Sequence, residues 1–187
     1  IGNITLRNGF VRSATFEGGV YSTGHLKKEF IQMYEDLSEG RTGLIITGMM
    51  SVTPKELPLP GAVTLYSGSG QRNLRELVDI VHSKDGKIMP QLAIMGSQVH
   101  LAEGEERQLF SPSGIQELAY KTVSQPLSVR AIKELITDIA NGAKVVQESG
   151  ADGVQLHGAH GYLLSHFLTP YYNHRDDQYG GSLVNRA

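Results

Sequence analysis

The run "DGVQLHGAHGYLLSHF" sets His157, His160 and Tyr162 within six positions, directly after four residues, "GVQL", that read as the end of a strand. Three kinds of chemistry are open to such a cluster. The rings can be ordinary loop side chains satisfied by backbone hydrogen bonds. Two histidines a few residues apart can instead hold a divalent metal, although no acidic residue or cysteine falls at ligand spacing before Asp176 and Asp177. The third arrangement is an oxyanion clamp with an acid beside it. Two imidazole N–H groups on a carbonyl oxygen stabilise it more as negative charge builds than in the ground state. A phenol with an ordinary pKa of about 10 stays protonated at neutral pH and can donate. No side chain there is a hydride donor, so a reduction calls for a cofactor.

The elements that must position these rings follow from apolar periodicity and turn residues. Short apolar runs predict strands over 9–15 ("GFVRSAT"), 42–52 ("TGLIITGMMSV"), 87–96 ("KIMPQLAIMG") and 151–159 ("ADGVQLHGA"). Between them lie helical patterns. Leu26, Phe30, Ile31, Met33, Tyr34 and Leu37 mark the first, with Gly40 as its stop; Leu74, Leu77, Val78 and Val81 mark the second. The third has Ser128 as N-cap, Ile132, Leu135, Ile136, Ile139, Ala143 and Val146 on one face, and Gly150 at its end. Residues 97–126 are polar and irregular, and a loop that long inside a compact pattern is more often functional than idle.

Four strand-then-helix units in series imply α/β architecture with parallel strands and right-handed crossovers. Two arrangements compete, an open doubly wound sheet and part of a (β/α)8 TIM barrel. "RSATFEGG" after the first strand offers no G-x-G-x-x-G turn, which favours the barrel. Four units make only half of one. We therefore expect 1–187 to be the amino-terminal half of a single barrel domain, with outer strands covered by further chain or by homo-oligomerisation. The chain opens on Ile1 rather than Met, which leads us to expect residues upstream.

Composition narrows the function classes. Only 19% of the 187 residues are charged and the net charge is -2, which gives no basic face for nucleic acid or an anionic membrane. There is no cysteine, hence no disulfide framework or thiol nucleophile, and a cytoplasmic setting is expected. No apolar run approaches the ~20 residues of a membrane-spanning helix.

The longer segment "DGVQLHGAHGYLLSHFLTPYYNHRDDQYGGSLVNR" resembles the signature of the old yellow enzyme family of flavin oxidoreductases. That signature reads approximately H-x-A-H-G-Y-L, then F-L-[ST]-P, then N-x-R-x-D-x-Y-G-G-S, then N-R. "ITLRNGFVRSAT", "GLIITGMMSV", "PQLAIMG" and "SPSGI" resemble earlier parts of the family in order and spacing, so the resemblance covers essentially the whole chain. It implies an FMN-containing barrel that takes hydride from NAD(P)H and passes it to an alkene activated by a carbonyl, a small enone-like substrate. His157 and His160 match the pair that binds the carbonyl oxygen, and His157 also sits beside the flavin. Tyr162 matches the residue that protonates the alkene carbon. Gln91 matches the glutamine on the flavin's pyrimidine edge, Ser13, Ala14 and Thr15 the stretch along the flavin, and Gly48 a small residue that lets the ring approach. Asn173, Arg175, Asp177, Tyr179 and Gly180–Gly181 are expected to brace the long loop.

The chain departs from the family in places. Gly9 stands where arginine is usual and Phe16 where a threonine, cysteine or histidine often tunes the flavin. Leu92, Ala93, Ile94, Met95, Gly96 and Ser97 replace a run close to L-W-H-A-G-R. The family's phosphate grip comes from late strands, and the iron–sulfur cluster of some relatives from cysteines further on. Two rival expectations remain, a metal-dependent barrel hydrolase using His157 and His160, and a catalytically silent half barrel.

Overall fold

The structure is a computed structural model that describes Gly2 and residues 4–187; Ile1 and Asn3 lie outside the described residues. In chain order the elements are β1 (Val11–Arg12), α1 (Lys28–Glu39), β2 (Leu44–Ser51), α2 (Gly68–His82), β3 (Ile88–Ala93), β4 (Phe110–Ser111), β5 (Gln125–Pro126), α3 (Val129–Glu148), β6 (Gln155–Leu156), α4 (Leu163–Leu168) and α5 (Leu183–Arg186). They group into two compact units, Ile1–Ala93 with Asp138–Leu156 and Ile94–Thr137 with His157–Ala187.

The first unit is built on a parallel sheet in the order β1-β2-β3-β6. Each strand lies beside the one that precedes it in this sheet, and nowhere does the order turn back. A doubly wound sheet needs such a reversal. A barrel does not, because its right-handed crossovers step from each strand to the next. The strand order thus selects the half barrel.

Ladder length follows from the number of partners. β2 and β3 pair on both sides and run for 8 and 6 residues, while β1 and β6 pair on one side only and close after 2. The outer runs expected over 9–15 and 151–159 are therefore mostly outside the ladder. β2 reads as a continuous apolar run because both its faces are covered, with Leu44, Ile45 and Met50 at most 2% exposed. Entry into β6 is fixed by Asp152, which accepts from the Ile88 N–H at 2.9 Å and pairs with Lys87 at 2.8 Å, while its own N–H donates to Ile88 O at 3.0 Å.

The helices obey their caps and stripes with some corrections. α1 buries Phe30, Tyr34 and Ser38, one residue per turn. Its terminal left-handed residue is Arg41 (φ 59°), whereas Gly40 is ordinary (φ -65°). α2 starts at Gly68, earlier than its apolar stripe, because the Ser67 hydroxyl accepts from the Gly70 N–H at 3.0 Å. Ser128 caps α3 through the Ala131 N–H at 3.1 Å. On α3, Ile136 is half exposed, contrary to its expected place on the buried face. Gly142 is buried instead, and a Cβ there would come within 2.7 Å of Val52 Cγ1. A glycine there leaves room for Val52 and Leu92 against the helix.

The second unit has little regular structure beyond its helical segments. The irregular stretch over 97–126 contains a short ladder, β4 with β5. Downstream, the Asn173 amide donates to Phe167 O and Tyr179 O, both at 2.8 Å. Arg175 donates to Pro112 O at 2.6 Å and Leu127 O at 2.5 Å and forms an ion pair with Asp177, which accepts from the Tyr179 N–H. These residues brace the loop, as expected.

Candidate functional site

In the first unit, Ser13, Ala14 and Thr15 follow β1 outside any regular element, with Ser13 and Thr15 exposed. The stretch is tied down just outside its ends. Arg12 donates to Ile46 O at 3.0 Å and pairs with Glu17 at 2.7 Å. The Tyr34 hydroxyl donates to the same carboxylate at 3.4 Å. Burial pushes the Glu17 carboxyl up, against the pull of Arg12. Burial, then the Glu17 charge, holds the Tyr34 phenol protonated far above its ordinary range.

Gly48 is buried in β2, at the irregularity where the β2–β3 register shifts between Ile46 and Met49. A Cβ there would overlap Glu17 Oε2 and lie 2.6 Å from Thr15 O. The chain itself thus occupies the space a side chain would need, which accounts for a glycine at this point.

Gln91, near the C-terminal end of β3, is 9% exposed. Its backbone N–H donates to Thr47 Oγ1 at 3.1 Å and its side-chain amide donates to Gln155 Oε1 at 2.7 Å. Gln155 is its direct partner across the β3–β6 ladder. One amide N–H is committed to that bond, and a carboxamide offers one further donor and an acceptor. Gln155, the Arg12–Glu17 pair and Met49, which pairs with Gln91 in the ladder, escaped sequence reasoning. Gln155 had a signal, a second glutamine inside an apolar strand run.

The second unit brings His157, His160 and Tyr162 together. Ring centroids lie 4.9 Å apart for His157–His160, 5.0 Å for His157–Tyr162 and 6.4 Å for His160–Tyr162, each pair edge to face. His157 is buried and His160 exposed. Burial, then the neighbouring His160, lowers the His157 pKa below its ordinary value, so the ring is neutral at neutral pH. Its Nδ1 accepts from the Ala159 N–H at 3.3 Å, which puts the single ring proton on Nε2. His157 is thereby a neutral Nε2–H donor. His160 has φ 58°, a left-handed conformation uncommon outside glycine. Among the described residues no group of three or more histidine, cysteine or acidic side chains is placed to hold a metal ion.

His166, unnoticed in the sequence, lies at the core of the same unit. It is fully buried, stacked on Tyr172 at 3.8 Å, and neither ring nitrogen has a hydrogen-bond partner among the described residues. Burial lowers its pKa despite the opposing charge of Glu117.

A sequence model of the NADH:flavin oxidoreductase / NADH oxidase family matches residues 1–187. The N,N-dimethylglycine/sarcosine dehydrogenase of Chromohalobacter salexigens is 34% identical over 100% of this chain and 27% of its own length. The cinnamate reductase of Clostridium sporogenes is 31% identical over 100% of this chain and 29% of its own. Among solved structures, the old yellow enzyme homologue from Zymomonas mobilis superposes with a TM-score of 0.86 at 27% identity, covering 99% of this chain and 54% of that one. The chain spans about a quarter to about half of the length of these relatives, and its four βα units are the first half of the barrel. The family match runs through the β1, β2 and β3 segments as well as the His157–Tyr162 cluster, and on that footing the chain belongs to the NADH:flavin oxidoreductase / NADH oxidase family.

Proposed function

We propose that this chain is the amino-terminal part of a cytoplasmic FMN-dependent oxidoreductase that passes hydride from NAD(P)H to a small alkene activated by a carbonyl. The observation that carries the reading is the three-ring cluster, with His157 held as a neutral Nε2–H donor beside His160 and Tyr162. The donor set of the first unit fits a flavin. Gln91 presents an oriented amide able to donate and accept, as a pyrimidine edge requires, and Ser13 and Thr15 are exposed after β1. Those residues, with Ala14, would hold FMN from the first unit, Gly48 letting the chain over 15–17 lie close against β2, and a phosphate anchor is expected from later strands.

Bound FMN supplies the two-electron chemistry that no side chain here offers. His157 and His160 fix the substrate by its carbonyl oxygen and stabilise the negative charge that gathers there. Because His157 is neutral with its proton on Nε2, it donates this hydrogen bond without placing a full positive charge beside the substrate. Tyr162 Oη delivers a proton to the carbon next to the carbonyl and recovers one from solvent.

The test is to reduce the full-length protein with NAD(P)H and titrate it with cyclohexenone. Reoxidation of the bound flavin is expected, and Tyr162→Phe should slow it by about 10²- to 10⁴-fold with flavin content unchanged. A second reading is favoured by the dimethylglycine/sarcosine dehydrogenase relative. There the imidazole pair would hold a carboxylate, and FMN would supply the two-electron oxidation of an N-methyl group. Bleaching of the oxidised flavin by N,N-dimethylglycine, with no response to enones, would replace the first reading by the second.

A further inference from the structure

We infer that Gln98 is a positioning residue for the ring cluster, holding the His160–Gly161 turn from behind; this rests on the proposed role of His160 and Tyr162. Gln98 Nε2 donates to the His160 carbonyl oxygen. Its amide packs against the following residue, where a Cβ on Gly161 would overlap Gln98 Oε1 and come within 2.9 Å of Cδ. Gly161 itself has φ 74° and His160 φ 58°, so two consecutive residues are left-handed. For His160 that conformation must be held by its surroundings.

A second stitch lies close by. The Leu163 N–H donates to Ile94 O at 3.1 Å. The segment over 94–98 therefore grips the chain on both sides of Tyr162, at His160 through Gln98 and at Leu163 through Ile94. The gripping segment is itself anchored, since the Thr122 hydroxyl donates to Ser97 O. Gln98 follows directly on Leu92–Ser97, where the chain departs from its family's usual run. It acts through the His160 carbonyl and touches no reacting atom. Its effect is to set the direction of the His160 ring and, through the Gly161 turn, the reach of the Tyr162 hydroxyl.

The test uses the full-length holoenzyme. Gln98→Met keeps chain length and removes the donor, and Gln98→Glu keeps shape and removes the donor at neutral pH. Both should lower kcat for enone reduction by about tenfold, the scale of a small misplacement, with KM and flavin content nearly unchanged. In protein labelled with ¹⁵N-histidine, the His160 ring resonances should shift while those of His166 stay. In the unsubstituted protein, a nuclear Overhauser contact between Gln98 Hε2 and Gly161 Hα is expected, and this needs no variant to fold. Absence of that contact, unmoved His160 resonances, or a rate loss that merely tracks loss of flavin or of thermal stability overturns the assignment. If the unsubstituted enzyme reduces no enone, the functional reading fails, and the contact and resonances alone decide the role of Gln98.

Discussion

Gln91 in the first unit and His160 in the second are both candidates for chemistry, and they are held by different means. Gln91 sits in a strand paired on both sides, its neighbours Met49 and Gln155 set by ladder register. Its side chain needs one further bond, to Gln155, to be oriented. His160 has no ladder. It lies in a left-handed turn held by Gln98, within a unit whose loops are braced by Asn173 and Arg175 bonding to backbone carbonyls. The contrast shows two routes to precision. A sheet positions side chains by repetition of backbone bonds, whereas a loop must be positioned by a few side chains, each bonded to one or two carbonyls.

That difference can be broken at its supports. The largest effect on stability is expected from Arg175→Ala, which leaves Pro112 O and Leu127 O without their charged donor and Asp177 without its partner. A loss of about 3 kcal/mol in urea unfolding is expected, with the His157–His160–Tyr162 loop the first to lose protection from hydrogen exchange. If instead the sheet loses protection first, the units do not differ in the way described. In the first unit, Gly48→Ala should cost about 2 kcal/mol, because the new methyl group meets Glu17 and the Thr15 carbonyl and must displace the chain over 13–17. Its second readout is weaker FMN binding in a fluorescence titration, with the ring resonances of the histidines unmoved.

The smallest effect concerns acid. His157 and His166 both have folded-state pKa values below the ordinary 6.5. The unfolded chain therefore takes up protons first as pH falls. The stability these rings contribute is fully present above about 6.5 and is lost as pH drops through their folded values. His166→Phe should keep the stack on Tyr172, remove two unpaired ring nitrogens and flatten this acid loss, raising stability at pH 5 by about 1 kcal/mol. Parallel pH profiles of the melting temperature for the two proteins would show that His166 does not carry the effect.

Much of the first unit was legible because periodic burial writes a periodic sequence. Leu74, Leu77, Val78 and Val81 are all at most 2% exposed, as their spacing predicts. The pattern failed where contact is made by absence of a side chain. Gly142 is buried against Val52 and Leu92, whereas Ile136 is half exposed; an apolar residue at the right spacing looks the same in sequence whether or not anything covers it. The ring cluster was legible for another reason. His157, His160 and Tyr162 are close along the chain, so a tight turn after a strand suffices to bring their rings within 6.4 Å.

The sequence by itself therefore determines the α/β class, the order of the strand–helix units, the rings that can do chemistry and, through its resemblance, the family. Tertiary structure alone decides how those rings are held. Gln98 and His160 are 62 residues apart, and Gln91 and Gln155 are 64 apart. Local preference and periodicity do not reach across such separations. A hydrogen bond between distant residues exists only once the chain has brought donor and acceptor to within about 3 Å.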